Sequence, residues 1–366
     1  MEKQLLDIIK KANVASVENT KAPIYNPKTH TKELSHNKYF KNLLLIRNIV
    51  KHACDDFMSI EQDAINVDLF MITTGVSSPM GPGSDSEPLP IQFGNRKAYL
   101  TDSSQFGFEP LIMSSFDKVY CYLPSMRGEQ PDARHLNQFF HCEMEIAGNI
   151  DQMMSIVENY VVYLANALDH ASRVVESISV NAKASHEVIK KLADSKSFDR
   201  ITFDEACQLL IDNGFASTIN ETDHGRDINS DGEIQLCKIL DTNLPFWITD
   251  FDRDRVPFYQ KPDASGEKVL CADLIFPPII EGSFGGEIVG AGQRQDNVSE
   301  MEESILRQNI SQEPYQWYID LRNNNQYRET SGFGLGIERF IAWSLCFDNI
   351  RDAIIYPREI NKDMNP

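Results

Sequence analysis

Met126-Arg127-Gly128-Glu129, followed by Arg134-His135-Leu136-Asn137-Gln138-Phe139-Phe140-His141-Cys142-Glu143-Met144-Glu145, is the stretch on which the reading turns. Apolar, roughly alternating runs flank its charged middle, Lys118 to Leu123 before it and Phe139 to Ile146 after it. Period-two alternation on both sides of a polar connection predicts an antiparallel hairpin with a long charged loop. Arg127 and Glu129, two residues apart, then share one face. The loop adds Arg134 and His135, and the returning strand adds Phe139. A cation to clamp a phosphate, an acid to accept from an adenine amino group and a ring to stack on the base together suit a nucleotide. A solvated surface hairpin would use the same residues, so the hairpin alone does not decide.

A second stretch bears on the choice. Ser331-Gly332-Phe333-Gly334-Leu335-Gly336-Ile337-Glu338-Arg339-Phe340 runs into an apolar helical segment, Ile341 to Phe347. Alternating glycines let a backbone pass close to a ligand or a neighbouring helix, and Arg339 falls in the first turn of the helix. A dinucleotide fingerprint is disfavoured, because that motif needs GxGxxG early in a βαβ unit with an acid downstream. This run lies near the C-terminus.

Hairpin and glycine run together resemble motifs 2 and 3 of the class II aminoacyl-tRNA synthetases. Arg134-His135-Leu136-x-x-Phe139 and Ile350-Arg351-Asp352-Ala353-Ile354-Ile355-Tyr356-Pro357-Arg358 are similar to the aspartyl, asparaginyl and lysyl subgroup, with the asparaginyl branch nearest. Trp247-Ile248-Thr249-Asp250, Pro257-Phe258-Tyr259, Gly286 to Arg294 and Trp317 to Arg322 echo it again, in family order, across roughly residues 40 to 360. Ordered blocks are far more specific than one motif.

The resemblance implies an α+β fold, a mainly antiparallel sheet of six or seven strands flanked by helices. It implies ATP as substrate and magnesium as its counterion. Carried over residue by residue, Arg127 holds the α-phosphate, and Arg339 the γ-phosphate end while flanking the adenine that Phe139 stacks. Glu129 reads the adenine amino edge, with Arg134 and His135 nearby in the ATP site. Asp273 and Glu287 match the magnesium-holding acids. On the amino-acid side, Gln105 contacts the substrate amino group, and Glu109 and Arg294 face its side chain. Glu109 stands where the aspartyl branch places a lysine; a carboxylate accepts from an amide and repels a second carboxylate. A purely local salt bridge is the other role open to Glu109. The family's flipping-loop glutamate falls to Asp85, to Glu87, or to neither. Thr330 replaces the family histidine before the glycine run.

Composition sets further bounds. The chain has 366 residues, 42% hydrophobic, with 54 acidic and 35 basic residues and a formal charge of −19. That average field repels a polyanion, and no Lys/Arg-rich segment overrides it; a basic face around Arg322, Arg328 and the bases of Lys21 to Lys41 is the counter-reading. Seven scattered cysteines without a CxxC pair read as reduced thiols. With no secretory layout at the N-terminus and no long apolar run, the cytosol is the expected location and no membrane partner is expected.

Two domains are expected: a helix and linker over 1–40 and the catalytic domain over 41–366. Forty residues cannot build the five-stranded anticodon-binding barrel that the subgroup carries ahead of its core. Leu43, Ile46, Val50, Ala53 and Phe57 share a helical face, at the position of the family's homodimer-building motif 1. A helix packed on its own core has the same periodicity. The leading expectation is therefore an adenylate-forming ligase for asparagine, aspartate or a close analogue. Its acceptor would be a nucleophile other than tRNA: ammonia, as in an asparagine synthetase, or another amine or hydroxyl. The alternative is an asparaginyl-tRNA synthetase-like ligase without its own anticodon domain, and the third is a non-catalytic amino-acid or nucleotide sensor.

Overall fold

The computed structural model describes residues 1–18, 20–77 and 86–363. The chain opens with helices α1 (Lys3–Ala15), α2 (His30–His36) and α3 (Lys38–Asp56). Short strands follow, β1 (Ile65–Asn66), β2 (Ile72–Thr73), β3 (Leu89–Phe93) and β4 (Arg96–Leu100), then α4 (Glu109–Met113). The charged hairpin is β5 (Lys118–Met126) and β6 (Gln138–Ala147), and it leads into α5 (Ile150–His170), α6 (Ser172–Ile178) and α7 (Ala182–Ala193). A small α/β unit comes next: β7 (Asp199–Thr202), α8 (Phe203–Asp212), β8 (Ile219–Thr222), β9 (Gly225–Ile228) and α9 (Ser230–Ile239). The last part contains β10 (Phe246–Thr249), β11 (Cys271–Phe276), β12 (Gly286–Gln293), α10 (Val298–Arg307), α11 (Gln316–Asp320), β13 (Thr330–Gly336) and α12 (Ile337–Ser344).

Eight strands form one sheet in the order β1-β5-β6-β13-β12-β11-β10-β7. Only its outer pairs, β1 with β5 and β10 with β7, are parallel. The sheet thus exceeds the six or seven strands expected, because two-residue β1 and four-residue β7 are too short to carry a period. The glycine run is a central strand of this sheet. Phe333 and Leu335 are fully buried on the core face, which leaves Gly332, Gly334 and Gly336 on the other.

The core face is covered by α3, α5 and α12. A capping box of Asn149 and Gln152 starts α5, and its Met154, Val157, Val161, Leu164 and Leu168 join the core. Leu43, Ile46, Val50 and Ala53 of α3, with Phe57 just after it, pack into that same core, none more than 3% exposed. The stripe expected to build a dimer seam is therefore internal: period 3.6 reports a buried face, not what buries it. Leu5, Ile9 and Ala12 of α1 belong to this core as well. All seven cysteines are buried and unpaired with one another. Among the described residues no helix is long and apolar enough to cross a membrane.

Candidate active site

The site lies on the open face of the sheet, and register dictates its layout. Gly332, Gly334 and Gly336 of β13 pair with Glu145, Glu143 and His141 of β6. On the other side Gly332 and Gly334 pair with Gly292 and Gly290 of β12. Cross-strand partners point to the same face, so a floor of glycines is walled by acids and a histidine on one edge. Asp273 of β11 pairs with Gly290 and joins the same face. Glu287 would point away from it on a regular strand. A register shift between Leu274 and Ile275 turns it back, as bulges do. A methyl built on Gly290 would lie 3.4 Å from both Asp273 Oδ1 and Glu287 Oε1, so the two carboxylates converge.

Over Gly334 and Gly336 opens a cavity lined by Arg127, Glu129, Arg134, His135, Phe139, His141, Glu287, Glu338 and Arg339 among others. The Arg127 guanidinium stands 5.2 Å from the centre of the Phe139 ring, and among the described residues its buried Nε has no hydrogen-bond partner. Arg339 donates to Glu287 at both the backbone oxygen (3.0 Å) and Oε2 (2.8 Å). Arg134 donates to Gly285 O at 2.6 Å and lies 3.7 Å from Glu233. The Glu87 N–H donates to Glu129 Oε2 at 3.2 Å, so Glu87 meets the cleft through its backbone. Asp85 lies outside the described residues.

Charge is uneven across this face. Burial, then Arg127 and Arg339, hold His141 well below its usual range; burial and Arg339 lower His135 too. Both are held toward the neutral form beside the guanidinium groups of this cavity. Burial, then Glu287 and Glu233, raise Asp273 well above an ordinary aspartate. Burial would also raise Glu287, but Arg339 outweighs it and holds that carboxyl low. Glu233 is pushed up to about 7, chiefly by burial. Among the described residues no three ligating side chains surround one point for a metal. Two convergent carboxylates that repel each other do fit magnesium, which usually takes one or two protein carboxylates and completes its shell with water and substrate phosphates.

Beyond Gly334 the charged groups are paired. Arg294 holds Glu145 through two hydrogen bonds, 3.0 and 2.8 Å, and also donates to Gln105 at 2.8 Å. Arg294 and Glu145 are at most 2% exposed. Glu143 accepts from the Ser103 hydroxyl and from the Ser104 N–H. Glu109 is 2.8 Å from Arg322 and accepts from the Tyr318 hydroxyl. Arg322 is thus interior and cannot belong to a basic surface patch.

Arg127, Glu129, Arg134, His135, Phe139, Glu287 and Arg339 meet in the cavity, and Asp273 lines the groove that continues from it. Gln105, Glu109 and Arg294 lie in the polar layer beside it. Sequence reasoning missed Glu233, Glu143 and Glu145, and treated His141 as structural. Period two from Phe139 would have found His141, Glu143 and Glu145 on one face; nothing local marks Glu233, which arrives from α9.

The sequence matches the family described as tRNA synthetases class II (D, K and N) over residues 28–360. The chain belongs to that family. It is accordingly an ATP-dependent, aminoacyl-adenylate-forming ligase. Asparagine–tRNA ligase of Thermoplasma acidophilum is 32% identical over 334 residues, 89% of this chain and 71% of the relative. That of Mycoplasma pneumoniae is 28% identical, covering 96% of this chain and 78% of its own. Among solved structures, asparaginyl-tRNA synthetase from Pyrococcus horikoshii complexed with asparaginyl-adenylate matches this class II chain with a TM-score of 0.80. Identity is 26%, over 93% of this chain and 74% of that one.

Proposed function

We propose that the chain activates asparagine with ATP and passes the asparaginyl group to tRNA. The observation that carries the first step is the convergence of Arg127, Phe139 and Arg339 over glycines, beside the paired acids Asp273 and Glu287. When the substrate carboxylate attacks the α-phosphorus and pyrophosphate leaves, charge builds on phosphate oxygens, and fixed cations stabilise it. Arg127 serves the α-phosphate and Arg339 the γ-phosphate end. The adenine lies between Arg339 and Phe139, with Glu129 at its amino edge and Arg134 and His135 bordering the phosphates. Asp273 and Glu287 would hold magnesium, which neutralises the β- and γ-phosphates.

Asparagine is favoured over aspartate because Arg294 is already bound by Glu145, leaving it little free charge for a second substrate carboxylate. Gln105 borders the amino group, and Glu109 stands behind the side chain in its pair with Arg322. Relatives named asparagine–tRNA ligase support tRNA as acceptor; the small nucleophile expected from the sequence has no such support. We also assign a homodimer to the exposed apolar residues Leu44, Ile65, Phe70 and Ile72, in place of the buried α3 stripe. Incubation with ATP, magnesium, labelled asparagine or aspartate, and either total tRNA or ammonium tests the reading. Asparaginyl-tRNA formed at the rate of adenylate formation is expected. Adenylate that reacts with ammonium and leaves tRNA uncharged would overturn the acceptor.

A further inference from the structure

Gln260 sits in the loop between β10 and β11, and the backbone around it is fixed. Its N–H donates to Pro257 O at 3.0 Å, Lys261 N–H to Gln293 O at 2.9 Å, and Gln295 N–H to Tyr259 O at 2.8 Å. Gln260 also bridges Arg294 in antiparallel fashion. The loop therefore runs as an added edge along the end of β12. From it the Gln260 side chain folds onto Gly292. A Cβ at Gly292 would collide with Oε1 and lie 2.6 Å from Cδ and 2.7 Å from Nε2. The glycine makes room for the amide.

Gly292 pairs with Gly332, so the amide shares a face with what lies on Gly332, the Arg294–Glu145 pair. Thr330, two residues before Gly332 and 1% exposed, points to that face as well. In this company Gln260 Oε1 is buried and, among the described residues, has no hydrogen-bond partner. A buried acceptor left unpaired bears its full desolvation penalty. Such an atom beside a ligand face is explained by a donor that the ligand brings.

We infer that Gln260 determines specificity for the amino-acid substrate, its carboxamide oxygen accepting from the side-chain amide of asparagine. The inference rests on the asparagine-activating reading above. An aspartate side chain would set acceptor against acceptor, with Arg294 already committed to Glu145. A primary amide supplies the missing N–H.

The test compares full-length wild type, Gln260→Leu and Gln260→Glu. Calorimetric titration with L-asparagine and L-aspartate is paired with ATP–pyrophosphate exchange driven by each. Gln260→Leu should raise the asparagine Kd and KM about tenfold, the worth of one well-made hydrogen bond. It should leave the ATP KM unchanged and pull the asparagine-to-aspartate ratio toward one. Gln260→Glu, an acceptor that cannot turn a donor inward, should keep asparagine and widen the ratio; it stands in if the leucine variant does not fold. A purely structural role would lower stability and leave the ratio alone. Wild type that prefers asparagine with a ratio neither variant moves overturns the role of Gln260 only. Wild type that prefers aspartate, or binds neither amino acid, overturns this role and the asparagine reading together.

Discussion

Gly332→Ala adds one methyl group at the centre of the site and isolates one interaction. Gly332 does not have the left-handed φ that would strain an alanine, so the effect is steric. The methyl would collide with Glu145 Oε2 and Arg294 Nη2 and lie 2.9 Å from Glu145 Cδ. The end of a glutamate usually swings aside at little cost. This one is held by Arg294 at 3.0 and 2.8 Å, with both partners essentially unexposed. Making room opens the pair and strands a guanidinium, a loss of about 3–5 kcal/mol where a buried pair is broken. A core that merely shifts around an extra methyl loses about 1–3 kcal/mol. Gln105 keeps its 2.8 Å contact to the same Nη2, so the lower end of the first range, about 3 kcal/mol, is expected.

Urea unfolding of wild type, Gly332→Ala, Glu145→Gln and the double variant measures it. In Glu145→Gln the charged pair is already gone, and the methyl should then add little. The coupling between the two sites should be about 1–3 kcal/mol. Additivity within about 0.5 kcal/mol would refute the claim that the methyl acts through the Arg294–Glu145 pair.

Arg127→Ala should remove amino-acid-dependent pyrophosphate exchange, by roughly 3 kcal/mol or more of transition-state stabilisation; exchange at the wild-type rate would reject its assignment to the α-phosphate. Burial pushes Glu143 from 4.5 up to about 7, against hydrogen bonds from Ser103 and Ser104. The folded chain therefore holds this proton more tightly than the unfolded chain does. The resulting stability is complete below about pH 4.5 and is lost as pH rises through about 7, by on the order of 3 kcal/mol. Glu143→Gln should flatten that part of a stability–pH profile, and an unchanged slope would count against it. Light scattering should give a dimer that Phe70→Asp dissociates into folded monomers, whereas Ile46→Asp should unfold the chain by placing a charge in its core; a folded Ile46→Asp monomer would restore α3 as the seam.

How much of this could be read from the chain depended on whether the signal was local. The β5–β6 hairpin was legible because alternation, loop charge and Phe139 lie within thirty residues of one another. The first-turn position of Arg339 followed from the apolar helix after it. The strand at 330–336 was obscured, since glycine has little strand propensity; only Phe333 and Leu335 carried the period. The α3 stripe was seen but its partner was not, because a core and a dimer seam share one periodicity. Glu287 could not be placed by parity, as the bulge reverses its direction. Arg294 and Glu145 are 149 residues apart and Glu233 comes from a separate α/β unit, so only the fold brings them in.

The glycine stripe also orders the chemistry. Gly332 to Gly336 spans about 13 Å of extended strand, and the charge changes along it. At Gly336 stand Arg339, paired with Glu287, and His141, held toward its neutral form, with Arg127 above Phe139 and, among the described residues, without an ion-paired acid. At Gly334 Glu143 faces Gln105. At Gly332 the guanidinium of Arg294 is fully answered by Glu145. A ligand with its negative charge at one end and an uncharged polar group at the other matches this gradient. ATP with the carboxylate of asparagine at its α-phosphate is such a ligand, and its carboxamide then falls at the neutral end. Reversing the charge at that end would require freeing Arg294, so on the asparagine-activating reading proposed above the pair that stabilises the floor would also set which side chain the floor accepts.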